Sequence, residues 1–273
     1  MKNALVSVII STKNEADHLE SCLNSLVRQS YGTCEIVVVD NHSSDDTKRI
    51  ARRFTKRIFD RGPERSAQRN YGAAMSKGKY LLFIDADMTL TRNVISDCVE
   101  ICGSRKFAGV VIPEKSIGIG YWARCKALER ACYERVTWLE AARFFRKDTF
   151  ANLGGYDESL TGPEDFELPQ RLKNKFGESS VGRIGSYILH DEGHLSLAKL
   201  LRKKYYYGRE MRRYARDAGN RKYFQKQSNI FTRFELFFRH PGLLLADPPV
   251  ACGMFVMKVL EMAAITLGSV AGE

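Results

Sequence analysis

The loop that follows the first apolar run of this 273-residue chain has neither Gly-x-Gly-x-x-Gly nor Gly-x-x-x-x-Gly-Lys-[Ser/Thr], which disfavours ordinary dinucleotide binding and P-loop hydrolysis. Its seven cysteines (22, 34, 98, 102, 125, 132 and 252) are odd in number, form no Cys-x-x-Cys pair and are accompanied by only five histidines. A zinc cage or disulfide scaffold is therefore disfavoured, and a reducing, cytosolic setting is expected. Cys98 and Cys102, one helical turn apart, read as core packing. The opening MKNALVSVIIS lacks the flanks and cleavage site of a signal peptide, so no export is expected.

With 44% hydrophobic residues the chain can bury a proper core, as one large domain or a domain with an appendage. Its formal charge of +11 is concentrated. From Lys199 to Arg239 there are 13 Lys and Arg against Glu210, Asp217 and Glu235, a local excess of +10. An anionic surface is expected there, while the first two thirds of the chain is almost neutral.

Short β-branched runs at 5–11, 34–40, 57–60, 79–85 and 107–113 alternate with amphipathic stretches at 16–29, 45–54, 66–76 and 91–104. Continuous apolar strands alternating with helices predict an α/β, Rossmann-like parallel sheet covered on both faces. Ligands in such sheets bind beyond the carboxyl ends of the strands. Polar residues gather there: STKNE after the first strand, DNHSSDD after the second and DAD after the fourth. Thr12, Asn14, Glu15, Asp40, Asn41, Ser43, Asp85 and Asp87 thus share one edge. Asn14 and Ser44 each precede a helical stretch and are also read as N-caps; for Ser44 capping is the reading adopted.

The run KYLLFIDADM ends in two acids. In extended chain, Asp85 and Asp87 share a face about 6 to 7 Å apart. Unscreened, they repel by roughly 2 to 3 kcal/mol at an effective dielectric near 20. A hard cation such as Mg²⁺ or Mn²⁺, completed by water and phosphate, reverses that repulsion. A bare Asp-x-Asp at a strand end can equally face solvent, and three polar loops on one edge make that alternative the weaker one.

VSVIISTKNEADHLESCLNSLVRQSYGTCEIVVVDNHSSDDT, ERSAQRNYGAAMSKGKYLLFIDAD and FFRKDTFANLGGYDESLTGPEDFELPQRL, in that order over about residues 5 to 190, resemble a family 2 glycosyltransferase of the GT-A fold. The resemblance implies an inverting enzyme that uses a nucleotide sugar, a UDP-sugar by preference. It assigns Asp85 and Asp87 to the cation, Asp87 being the more direct ligand. Thr12, Asn14, Glu15, Asp40 and Asn41 fall at nucleoside-binding positions, and Arg65 and Arg69 near the phosphates. Met88 departs from the pattern, where many relatives have a further aspartate.

In GPEDFELPQ the resemblance makes Asp165 the base that takes the acceptor hydroxyl's proton, and Glu164 a neighbour touching acceptor or backbone. A carboxylate beside a like charge and partly desolvated is expected to have a raised pKa. The same acids also suit a helix N-terminus, with the turn ending or kinking at Pro169. His190, in SYILHDEGH, is expected to complete the metal site, with Asp191 and His194 as alternatives.

These readings divide the chain into a catalytic domain, 1–192, with a nucleotide-sugar half to about 113 and an acceptor half from about 114, and a basic, apolar extension, 193–273. In the extension, SLAKLLRKKYYYGREMRRYARD reads as a basic aromatic helix suited to an anionic bilayer surface. From Val250 about 22 residues are apolar apart from Lys258 and Glu261, near spanning length. A span, a re-entrant or interfacial helix and a helix packed on the core all remain open. A lipid, lipid-linked or saccharide acceptor at the cytoplasmic face of a membrane is expected. Two other classes are disfavoured: a non-catalytic module holding membrane or nucleic acid, because both carboxylate centres are present, and a nucleotidyltransferase, because its glycine-rich signature is absent. A processive synthase is disfavoured too, since Gln-x-x-Arg-Trp is missing.

Overall fold

Branched side chains are stiff at χ1 and pack well on a pleated surface, so VSVIIST and CEIVVVD form strands β1 (Val6–Thr12) and β2 (Cys34–Asp40). A computed structural model of the protein describes residues 3–105, 107–160, 162–216 and 221–271. The chain forms two compact units: Met1–Glu114 with Ala141–His190, and Lys115–Glu140 with Asp191–Glu273.

In the first unit the strands alternate with helices in the expected order. Helix α1 (Leu19–Val27) follows β1, and α2 (Thr47–Ala51), β3 (Ile58–Asp60), α3 (Arg65–Met75), β4 (Tyr80–Asp85), β5 (Met88–Leu90), α4 (Val94–Arg105) and β6 (Gly109–Val111) follow β2. After an excursion come β8 (Ala142–Arg146), α6 (Lys147–Asn152), α7 (Glu164–Phe176) and β9 (Val181–Arg183). Strand β10 (Ile188–His194) begins here, and its His190 pairs antiparallel with Met88 of β5.

The main sheet has the order β3-β2-β1-β4-β8-β6-β9. Strands β3, β2, β1 and β4 are parallel, with Thr12 opposite Asp40 and Ser11 opposite Asp85. The order reverses between β1 and β4, which opens a crevice at their carboxyl ends. Val6, Val8 and Ile10 pack in one core and Ile9 with Val37 and Val39 in another, so both faces are covered. One strand departs from the simple alternation. β8 inserts antiparallel between β4 and β6, burying Phe144 on one face and Phe145 on the other. Helix α3 approaches the sheet closely at Gly72, where a Cβ would lie 2.5 Å from Ile9. That approach sets the depth of Arg65, Gln68 and Arg69.

Two local expectations are corrected. Neither Asn14 nor Ser44 caps a helix: the N-cap positions of α1 and α2 are His18 and Asp46. Helix α7 also runs through Pro169 without ending. Pro169 is the sixth residue of the helix, past its first turn, and having no N–H it leaves the Asp165 carbonyl without its intrahelical bond.

The second unit contains β7 (Glu114–Ile119) from Lys115 on, α5 (Tyr121–Cys132), α8 (Leu197–Arg216), α9 (Arg221–Ser228), α10 (Ile230–Phe238), α11 (Pro241–Ala246) and α12 (Pro248–Ala271). The expected basic helix is α8; residues 217–220 of the basic segment, Asp217 included, lie outside the described residues. Segment 115–140 groups with the C-terminal part in one compact unit. Ion pairs of long sequence separation explain this. Lys126 of α5 bonds Glu129 at 2.7 Å and Glu261 of α12 at 3.1 Å, and Lys258 of α12 contacts both acids. Although burial pushes the other way, Lys126 and Lys258 hold Glu129 down to about 2 and Glu261 well below the carboxylate range.

Breaking a buried pair on one side leaves a charge uncompensated. Lys258→Met should therefore destabilise the chain by about 3–5 kcal/mol in denaturant unfolding. Because the folded-state pKa values are depressed, the acids' contribution is present above their ordinary value near 4.5 and is lost as pH falls toward about 2. Thermal scans from pH 6 downward check the sign.

Candidate active site

The ends of β1, β2 and β4, helices α3 and α7, Arg143 of β8 and His190 of β10 build the site, all within the first unit. Asp40, fully buried at the end of β2, accepts from Thr12 Oγ1 at 2.7 Å and from Ser43 through its N–H at 2.7 Å and hydroxyl at 2.6 Å. Asn14, with φ 53°, donates its N–H to Ser43 Oγ at 2.7 Å, and its Oδ1 accepts from the Ser44 N–H at 2.9 Å. Glu15 is half-buried, and its N–H donates to Thr47 Oγ1 at 2.8 Å. Asn41 donates to the Pro63 carbonyl at 2.6 Å. Thr12, Asn14, Asp40 and Asn41 thus form one hydrogen-bonded rim across the first two loops. Gln68 joins it from below, donating to the carbonyls of Thr12 and Val39 at 2.9 and 2.7 Å.

Arg65 and Arg69, four residues apart on α3, share a face. Arg69 is completely buried. One of its amines donates to Asp85 at 2.8 Å and the other to Asp165 at 2.7 Å, with the guanidinium 5.1 Å from the centre of the Tyr156 ring. Arg65 is partly exposed, bonding Glu164 at 2.9 Å with Asp85 at 3.8 Å. Arg143 of β8 adds a third guanidinium, 3.6 Å from Asp85 and 2.6 Å from Glu114. Against the burial that would raise it, Arg69, Arg143 and Arg65 hold the Asp85 carboxyl well below the usual range.

Asp85 is therefore engaged by arginines in this structure, whereas Asp87 faces elsewhere. Asp87 Oδ2 lies 3.2 Å from His190 Nε2, and its buried Oδ1 has no hydrogen-bond partner. Glu114 stands behind the ring, 3.5 Å from Nδ1. A carboxylate oxygen in want of a partner, an imidazole and a backing carboxylate fit a divalent cation of the Mg²⁺ or Mn²⁺ type. Among the described residues no three His, Cys, Asp or Glu side chains form a metal cage. A site with two protein ligands, completed by water and substrate phosphate, is the ordinary form for such ions.

At α7, Asp165 Oδ2 has Arg143 at 3.9 Å, beyond hydrogen-bond reach, and so stays open to a hydroxyl. Glu164 is only 1% exposed, too buried to meet an acceptor. Burial and the neighbouring Asp165 push its carboxyl up despite Arg65.

Residues 7–156 match the family model described as glycosyl transferase family 2. The chain belongs to that family. Among curated relatives, this family 2 chain is 42% identical over 91 residues to glycosyltransferase AglE of Haloferax volcanii, covering 30% of each chain. It is 29% identical over 168 residues to a PGL/p-HBAD biosynthesis glycosyltransferase of Mycobacterium bovis, covering 58% of this chain and 65% of that one. The match thus spans from about a third to just under two thirds of those relatives' lengths. Among solved structures, mannosyltransferase PcManGT of Pyrobaculum calidifontis superposes with a TM-score of 0.63 at 16% identity, over 98% of this chain and 86% of that one. S. aureus TarS 1-349 in complex with UDP-GlcNAc gives 0.57 at 15%, over 97% and 90%. At such identities the structures speak for the fold alone, which is GT-A.

Three site residues escaped the motif reading: Gln68, Glu114 and Arg143. Gln68 lies inside ERSAQRN, and a charged Arg143 within the apolar run ARFF was a visible signal. Their partners, distant in sequence, were not.

Proposed function

We propose that this chain transfers a sugar, with inversion, from a nucleotide-sugar donor to a hydroxyl of a lipid or lipid-linked acceptor at an anionic membrane surface on the cytoplasmic side. One observation carries the reading: a single buried guanidinium, Arg69, bonds both the donor-side acid Asp85 and the helix-end acid Asp165, which brings two carboxylate centres to one strand-end crevice. The fold neighbours, PcManGT in complex with GDP-Man and Mn²⁺ and TarS in complex with UDP-GlcNAc, support a nucleotide sugar and a cation.

In this mechanism Asp40, with Thr12 and Ser43 fixing its carboxylate, receives the nucleoside. Asn14, Glu15 and Asn41 shape the loops around it. Asp165 Oδ2 takes the acceptor proton as the acceptor oxygen bonds the anomeric carbon, while the bond from that carbon to the diphosphate oxygen breaks. A divalent cation held by Asp87 and His190 would supply positive charge to the departing diphosphate. Arg65, the most exposed guanidinium of the site, faces the same developing charge. Arg69 and Arg143 hold Asp85 and Asp165 in place.

Purified chain, Mn²⁺ and labelled sugar nucleotides, UDP-sugars first, with membrane lipid extract as acceptor, test the reading. Labelled product should form in the lipid phase and disappear with chelator. Asp87→Ala should lower kcat/KM by about 100-fold or more. Transfer only to soluble saccharides would replace the lipid acceptor, and no transfer to either would remove the function.

A further inference from the structure

Helix α12 carries its charges on the wrong side for a protein surrounded by water. Lys258 and Glu261 are buried, while Val256, Val259, Leu260, Leu267 and Val270 are between 36% and 64% exposed. With Cys252 and Ala263, also exposed, these residues recur every three or four positions and form one apolar stripe. From 252 to 270 it is roughly 27 Å long. A water-facing helix has the opposite arrangement, with the apolar stripe inside. Further apolar side chains of the same unit are bare: Phe231 and Phe238 on α10, and Leu245 on α11, at 79%, 64% and 76%.

Helix α8 lies against α12 with unusual closeness. A Cβ on Gly208 would lie 2.3 Å from the Ile265 carbonyl, and one on Gly268 would lie 2.0 Å from that of Tyr205. These contacts make the helices antiparallel, packed backbone to backbone through glycine as helices in lipid often are. Along α8, Lys199, Arg202, Lys203 and Arg209 are exposed, and Arg239 is exposed beyond α10. A bare apolar stripe accompanied by cations matches an anionic bilayer surface. A second copy would instead bring those cations together.

We propose that the outer stripe of α12 is a membrane-docking face that lies in the plane of an anionic bilayer without crossing it. By length and composition α12 could cross, with 24 residues that include an 18-residue stretch of mean hydropathy 1.8. Its attachments forbid that. Crossing would carry the cationic α8 alongside it into hydrocarbon, and the quartet of Lys126, Glu129, Lys258 and Glu261 ties its inner face to α5. The proposal rests on the membrane reading above and specifies the face and its orientation.

Flotation of the full chain with vesicles of equal phosphatidylglycerol and phosphatidylcholine, and with phosphatidylcholine alone, tests it. Binding to the anionic vesicles should be at least tenfold the stronger. The triple variant Val256→Ser, Leu260→Ser, Leu267→Ser should lose at least tenfold, and Arg202→Gln with Lys203→Gln and Arg209→Gln should lose the preference for anionic lipid. Probes on Cys252, Val259→Cys and Leu267→Cys should be quenched by lipid-borne nitroxides at one common depth. A deep probe at 259 between shallow ends would mean a span and overturn the proposal. So would the absence of flotation, or a dimer in place of flotation that the triple variant dissolves. Sugar transfer to a soluble hydroxyl acceptor in detergent, assayed in parallel, separates the two readings: binding without transfer removes the enzyme and leaves the docking face, and transfer without binding does the reverse.

Discussion

Asp165→Asn should lower kcat for sugar transfer by about 10²- to 10⁴-fold, the range for removing a general base. The substitution keeps the shape, and its amide oxygen can still accept from Arg69, which the wild-type Oδ1 does at 2.7 Å. What disappears is the ability of the second oxygen to take a proton from the acceptor. In the proposed mechanism the donor is held at the β1, β2 and β4 ends, so donor affinity by calorimetry should stay within about threefold. Glu164→Gln gives the contrast. Glu164 is buried against Arg65 and should affect the placement of that arginine more than the proton transfer. A decrease in kcat of less than tenfold for Asp165→Asn, in a protein that still binds donor, would assign the base elsewhere.

The second large effect is on stability. Arg69→Met should cost about 3–5 kcal/mol, because removing one partner of a buried pair leaves the other charge stranded. Arg69 has no exposed surface and meets Asp85, Asp165 and, at 3.9 Å, Glu164. Arg143 and Arg65 remain but reach Asp85 only at 3.6 and 3.8 Å. In the wild type the depressed Asp85 pKa contributes stability above its ordinary value near 3.8, and this is lost at lower pH. Without Arg69 the burial that raises the carboxyl is opposed less, so protonation should relieve the variant. Its deficit relative to wild type should shrink from pH 7 to pH 4 in urea unfolding. A deficit that does not change with pH would mean that packing against Tyr156, not charge, is what Arg69 supplies.

The paired acids at the end of β4 illustrate how far sequence reading reached. Their position was legible because an apolar run must end where the sheet ends, and the five predicted strands all correspond to strands in the main sheet. Their division of labour was not legible. Only two positions apart in sequence, Asp85 and Asp87 meet different partners: Asp85 the guanidinia of α3 and β8, Asp87 the imidazole of β10. Likewise, His190 was expected with Asp191 and His194 as alternatives, and it is the pairing of β10 with β5 that sets His190 opposite Met88 and beside Asp87.

The sequence alone determined the α/β alternation, the strand-end position of the polar loops, the acidic start of α7 and the basic character of α8, because each depends on periodicity and local propensity. Only the tertiary structure decided that β8 separates β4 from β6, that three arginines enclose Asp85, that α5 belongs with the C-terminal helices and that α12 turns its charges inward. The reason is physical: those features come from pairing between residues tens to more than a hundred positions apart, and the Coulombic and packing energies that select such partners act through space, leaving no periodic trace along the chain.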